Sequence, residues 1–223
     1  MAANRTYLSP AELPAVVPVF PLAGALLLPR AELPLNIFEP RYLAMVDDII
    51  AGGRLIGMVQ PDESVPADAC GPGVYKVGCL GRLTQFAETG DGRYLITLTG
   101  ITRVRLLEEM DVTTPYRQFR IDPEPFARDF EASAGEKDVD RSALLSALAD
   151  FLEANKLEAD WEGIQQAGTE MLVNTLSVIS PYGALEKQAL LEAKTLKERA
   201  DMLVAITQMT LARSPGEGEG SLQ

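Results

Sequence analysis

Residues Ala15 to Tyr42, AVVPVFPLAGALLLPRAELPLNIFEPRY, are apolar enough to form core yet carry prolines at positions 18, 21, 29, 34 and 40. A proline inside a helix removes a hydrogen bond and clashes with the preceding turn, so the stretch reads as short extended pieces. We read them as paired strands feeding a helix. The feed point is Glu39-Pro40-Arg41-Tyr42. Pro40 suits a first helical position, where the missing N–H costs nothing. The helix is expected from Arg41 to about Ala51, with Leu43, Val46, Ile49 and Ile50 as its apolar stripe and Gly52-Gly53 as its stop.

Beyond this helix, Arg54 to Gln60 reads as a buried strand, and Pro61 to Pro72 as an irregular loop. From Val74 to about Pro123 the apolar residues alternate. Asp91-Gly92 marks a hairpin turn, and Gly100, inside a strand-like run, marks a bulge or sharp bend. Strands joined by short turns imply a bent, mostly antiparallel sheet or partial barrel. Residues 123–140 turn acidic and rich in Pro, Ala and Gly, the composition of a linker. Helical periodicity then covers 141–213. It gives one helix up to Lys156 with Leu144, Leu145, Leu148, Phe151 and Leu152 on one face, and a second from about Trp161 or Glu162 to Val178 burying Ile164, Ala167, Met171, Leu172 and Leu176. A short helix follows over Leu185–Ala193, and a last one opens on the capping box Thr195-x-x-Glu198. Residues 214–223 read as a disordered tail. The expected fold is therefore α+β: a bent sheet or partial barrel over 1–122, an acidic linker, and a C-terminal helical bundle.

The chain has 223 residues and a formal charge of −12. Residues 1–122 hold 11 Lys and Arg against 14 Asp and Glu, and the remainder 9 against 18. Acidity disfavours nucleic acid and anionic membrane as partners, since phosphate binding relies on Lys and Arg. The N-terminus lacks the order of a signal peptide, and prolines interrupt the apolar run that follows, so a cytoplasmic location is expected. Cys70 and Cys79, in a chain without histidine, fall short of a structural zinc set and read as reduced thiols.

Without histidine there is no Ser-His-Asp or Cys-His pair, and no G-x-x-x-x-G-K-[ST] loop occurs to cradle nucleotide phosphates. No cofactor is called for. Ser177 or Ser180 with Lys187 is the sharpest remaining catalytic pair, but Ser and Lys at helix ends are common for capping and solvation. Asp47-Asp48 suggests a dyad or metal site, although adjacent carboxylates diverge. Arg103 and Arg105 share a strand face. They read either as a basic strip for peptide carboxylates or as cross-strand partners of residues such as Glu108 and Asp122. At the helix entry, Glu39 can cap exposed N–H groups while Arg41 reaches a carboxylate. The functional alternative is that this corner, with Phe38 and Tyr42, offers a mixed apolar and charged patch to an extended chain.

The order V-P-V-F-P-L, an apolar strand ending in Pro29, and then L-P-L-N-I-F-E-P-R-Y resembles the opening of the Lon N-terminal (substrate-binding) domain family. The likeness continues through RLIGMV (54–59), VGCLGR (77–82), DGRYLI (91–96), GITRVR (100–105) and, as in free-standing bacterial members, LEKQALLE (185–192). It implies a non-catalytic, ATP-independent module of protein quality control that binds unfolded or damaged polypeptide, in the service of a separate ATP-dependent protease. Phe20, Leu22, Phe38 and Tyr42 would engage the peptide on apolar surface between sheet and helical parts, with Glu39 and Arg41 at the rim. The competing readings are an adaptor for one folded partner and an enzyme with a histidine-free site. Homo-oligomerisation is left open.

Overall fold

Three prolines decide where the first two strands can sit. In the computed structural model, which describes residues 6–67 and 71–213, β1 (Val16–Pro21) pairs antiparallel with β6 (Gln118–Asp122) through residues 16–18 and parallel with β3 (Leu55–Val59) through residues 19–21. Each flank of β1 is thus bonded over only half its length, which accommodates Pro18 and Pro21. β2 (Glu32–Ile37) pairs with β5 (Tyr94–Glu109) alone and holds Pro34 on an edge strand, where a missing donor is tolerated. The two strands expected to pair with each other therefore do not. The mostly buried β1 goes inside the sheet and the alternating β2 goes to its rim.

β4 (Val77–Glu88) joins β3 and β5 antiparallel, and β5 pairs with β6 as well. The ring β1-β3-β4-β5-β6 closes, so the sheet is six-stranded, mostly antiparallel and barrel-like, with β2 attached beside the first half of β5. Val17, Val19, Leu80, Val104, Phe119 and Ile121 belong to its core. The β4–β5 hairpin turns through Gly90 (φ 80°) and Gly92 (φ 86°), as the Asp-Gly signal predicts. Gly100 lies at a register shift, because no side chain fits there: an added Cβ would stand 2.0 Å from the Leu28 carbonyl oxygen. The segment before β2 uses that space. Gly100 N–H donates to Ala31 O (2.9 Å) and Arg30 N–H to Gly100 O (2.8 Å).

Helix α1 (Pro40–Ala51) buries Tyr42, Met45, Val46 and Ile49. Its stripe is rotated from the expected one, and Leu43 and Ile50 are half-buried at its margin. The region expected as one helix from 161 to 178 is two, α3 (Trp161–Gln166) and α4 (Thr169–Ile179), following α2 (Arg141–Ala154). Ala167 takes an extended φ/ψ before Gly168, which breaks the period and leaves Met171 exposed. α5 (Ala184–Glu192) and α6 (Leu196–Arg213) complete the chain. The capping box is present: Glu198 N–H donates to Thr195 Oγ1 (3.1 Å), and Glu198 Oε2 accepts from Lys194 N–H (2.9 Å).

By contacts the chain divides into two units. One holds the barrel to Ala132 and resumes over Asn174–Glu192; the other comprises Ser133–Val173 and continues from Ala193. Within the barrel unit, α5 is tied down by buried amides. Gln60 Nε2 donates to Ala184 O (2.9 Å) and Gln188 Oε1 (3.3 Å), while Gln188 Nε2 donates to Val77 O (3.2 Å). The stretch expected as a linker contains 3-10 turns at Glu124–Phe130 and Glu136–Asp138, and the first carries the buried Asp129. In the second unit, Glu136 Oε1 accepts from Glu170 N–H (2.8 Å), and Arg141 donates to Thr169 Oγ1 and Ile164 O (3.0 Å each). The expected tail, 214–223, lies outside the described residues, as does Cys70. Cys79 is buried, and its thiol donates to Leu80 O (3.8 Å).

Candidate functional site

The corner where β2 enters α1 is built by Pro40, the first residue of the helix, with Glu39 as an extended N-cap (φ −73°, ψ 132°). Tyr42 and Leu43 N–H both donate to Glu39 O (2.9 and 3.0 Å). The Glu39 side chain does not cap, contrary to the sequence expectation. Its Oε2 instead accepts from Arg41 Nε (3.0 Å) and Nη2 (2.8 Å), because a guanidinium two residues away is the stronger donor. This ion pair is roughly half exposed on both sides, so its worth to stability is small.

The six expected peptide-contacting residues all fall in the barrel unit, with different exposure. Phe38 stands 63% exposed, whereas Phe20 and Tyr42 are only 6% and 5% exposed. Those two rings pack on each other, with centroids 4.1 Å apart and planes at 35°. They join β1 to α1 and support the corner without offering their ring faces to solvent. Leu22 is half-buried and held by its N–H to Val59 O (2.9 Å). The Arg41 guanidinium lies over the Tyr42 ring at 4.5 Å.

A small cleft of about 90 Å³ adjoins the corner, lined by Arg41 and Tyr42, by Val19 and Pro21 of β1, by Pro72, and by Pro115, Tyr116 and Arg117. Sequence reasoning missed Pro72, Pro115 and Tyr116, which meet the corner only once the barrel closes. Arg117 pairs with Glu109 (Nε to Oε1, 2.7 Å) and donates from Nη1 to Pro72 O (2.7 Å). Tyr116 donates its hydroxyl to Asp48 Oδ2 (2.7 Å), while Asp47 accepts from Tyr94 (3.0 Å). The adjacent carboxylates thus diverge to separate tyrosines. No cluster of three His, Cys, Asp or Glu suited to a metal occurs among the described residues.

Burial and the Asp48 bond push the Tyr116 phenol up to about 12 from its ordinary 10.0. The folded chain therefore holds this proton more tightly than the unfolded chain. The resulting stability is complete below pH 10 and is lost as pH rises through about 12. Chemical denaturation across that window should show wild type losing stability relative to Tyr116→Phe, whereas parallel curves would contradict the assignment.

The remaining candidates are structural. Ser177, Ser180 and Lys187 are buried. Lys187 Nζ donates to Gly24 O (2.9 Å) and Val178 O (3.2 Å), and burial lowers its pKa. Arg103 is buried against Asp129 (2.8 Å), neither a basic strip nor a partner of the strand acids, while Arg105 is exposed. Arg120 approaches Glu108 at 3.8 Å.

A six-stranded, barrel-like sheet with helices defines a mixed α/β class of domain whose fold is already seen in solved structures. The N-terminal domain of the Mycobacterium avium complex Lon protease matches with a TM-score of 0.64 at 18% identity, covering 86% of this chain and 98% of that one. A Lon N-terminal domain protein from Xanthomonas campestris matches at 0.58 and 22%, covering 85% and 97%. Residues 16–208 match the ATP-dependent protease La (LON) substrate-binding domain, and the chain belongs to this family of substrate-binding modules. Among full-length relatives, the Lon protease of Desulfosudis oleivorans is 26% identical over 200 residues, 84% of this chain and 23% of that protein. Lon protease 2 of Sorangium cellulosum is 31% identical over 124 residues, 53% of this chain and 15% of that protein. The chain spans about a quarter or less of the length of these curated relatives.

Proposed function

We propose that this chain is a non-catalytic recognition module that binds unfolded or damaged polypeptide in extended form and serves a separate ATP-dependent protease in cytoplasmic quality control. The observation that carries the reading is Phe38: a large ring 63% exposed at a strand-to-helix junction, beside an exposed Arg–Glu pair. An exposed aromatic beside a charged pair suits the apolar side chains of a chain that has lost its fold. The buried Phe20 and Tyr42 pack on each other where β1 meets α1, beside this junction, and Leu22 follows β1. The family's description as a substrate-binding domain and the naming of relatives as Lon proteases support the same reading. So does the burial of Ser177, Ser180 and Lys187, which keeps that pair from a substrate. No helix among the described residues is long and apolar enough to cross a membrane.

Fluorescence anisotropy of a labelled, permanently unfolded polypeptide should rise saturably with added protein, while a folded control at the same salt stays flat. Phe38→Ala should weaken that binding by about tenfold, the worth of one well-buried side-chain contact. Equal binding of the folded control would favour an adaptor instead, and unchanged affinity in the variant would remove the corner from the site.

A further inference from the structure

The cleft beside the corner is neutral and nearly complete in its hydrogen bonding. Arg41 is paired with Glu39, Arg117 with Glu109, and the Tyr116 hydroxyl with Asp48. Tyr42 is different. It is 5% exposed, yet its hydroxyl has no hydrogen-bond partner among the described residues. No fully buried side-chain polar atom among the described residues lacks a partner, so this hydroxyl keeps some surface open to solvent, and Tyr42 lines the cleft. Water serves such a hydroxyl until a ligand acceptor replaces it, so the acceptor gains the net worth of one hydrogen bond.

The other lining groups set the ligand's character. Val19, Pro21, Pro72 and Pro115 are apolar. The volume of about 90 Å³ is well below the roughly 150 Å³ of a cavity that holds benzene. An aromatic side chain is too large. A carboxylate would be desolvated beside guanidiniums already neutralised by their own acids, at a net cost.

We infer that this cleft is a specificity subsite for extended polypeptide: it takes one small aliphatic side chain, of alanine, valine or proline size, while the Tyr42 hydroxyl donates to a neighbouring peptide carbonyl. The inference rests on the proposed polypeptide binding and adds to it a preference that the open Phe38 surface does not supply. Arg41 and Tyr42 belong both to the corner and to the cleft, so one extended chain crosses the two.

The test uses the full chain and labelled Gly/Ser-rich peptides with a constant leucine and one variable residue: Val, Phe or Asp. The Val peptide is expected to bind most tightly. Tyr42→Phe, which keeps the ring packing on Phe20, should weaken the Val peptide by about 3- to 10-fold, the range of one hydrogen bond, and narrow its lead. Phe38→Ala should weaken all three peptides alike. Phe or Asp peptides binding as well as Val, or Tyr42→Phe at wild-type affinity, would overturn the subsite while leaving polypeptide binding intact. Absence of binding by every peptide and by an unfolded protein would overturn both.

Discussion

Asp129→Ala is expected to cost about 3–5 kcal/mol of stability, the price of stranding a buried cation. Asp129 Oδ2 accepts from Arg103 N–H and Nε (2.9 Å each), and Oδ1 from Nη2 (2.8 Å). Arg103 Nη1 donates to Leu191 O (3.2 Å), and the guanidinium lies 4.8 Å from the Phe126 ring centre. Strand β5, the 3-10 turn at Glu124–Phe130 and the end of α5 therefore meet at one buried charge pair. Both side chains are less than a tenth exposed, so water cannot replace the lost carboxylate. Urea unfolding followed by circular dichroism measures the loss. The double variant Arg103→Met, Asp129→Leu should recover part of it, since removing both charges removes the desolvation cost. A single variant within about 0.5 kcal/mol of wild type, the range of ordinary surface changes, would show that the pair does not hold the turn.

Gly100→Ala is expected to cost about 3 kcal/mol, at the upper end for overpacking. Its Cβ would fall 2.0 Å from Leu28 O and 2.7 Å from Leu28 C, both backbone atoms that cannot rotate away. Relief would require residues 28–31 to leave β5, breaking the bonds between Gly100 and Arg30 and Ala31. Gly90→Ala is the control. It has φ +80° but open space around it, so it bears only the left-handed backbone cost of about 1–2 kcal/mol. Thermal unfolding should rank Gly100→Ala well below Gly90→Ala; equal shifts would mean that the close approach of Leu28 does not limit stability.

These positions show what was legible in the chain. Gly100 was marked as a bend because glycine inside alternating residues weakens a strand unless space demands it. Pro40 located the helix start for a similarly local reason. The hairpin at Asp91-Gly92 and the cap at Thr195 were also legible, since each depends on residues a few positions apart. Partners distant in sequence were not. Arg103 finds Asp129 across a stretch whose composition reads as a linker, and nothing local marks that aspartate as buried. The separation of β1 from β2 escaped the pattern because both are short, apolar and proline-bearing, and only their pairing with β3, β5 and β6 tells them apart. At the site, the Phe38–Tyr42 motif was visible, but the burial of Phe20 and Tyr42 depends on β1 and α1 bringing the two rings together, while Phe38 stays exposed. Val46 and Ile49 lie on the face that periodicity indicated, but the stripe runs through Tyr42 and Met45 and not through Leu43 and Ile50. The cleft, half of it supplied by residues 72 and 115–117, has no local signature at all.

The most direct measurement is amide chemical-shift mapping of the isotope-labelled protein titrated with an unfolded polypeptide. Saturable shifts are expected to centre on residues 36–42 and extend to 115–117, with little change around the buried Lys187 and Arg103. Saturable shifts confined to other surfaces, with the corner unmoved, would contradict this placement.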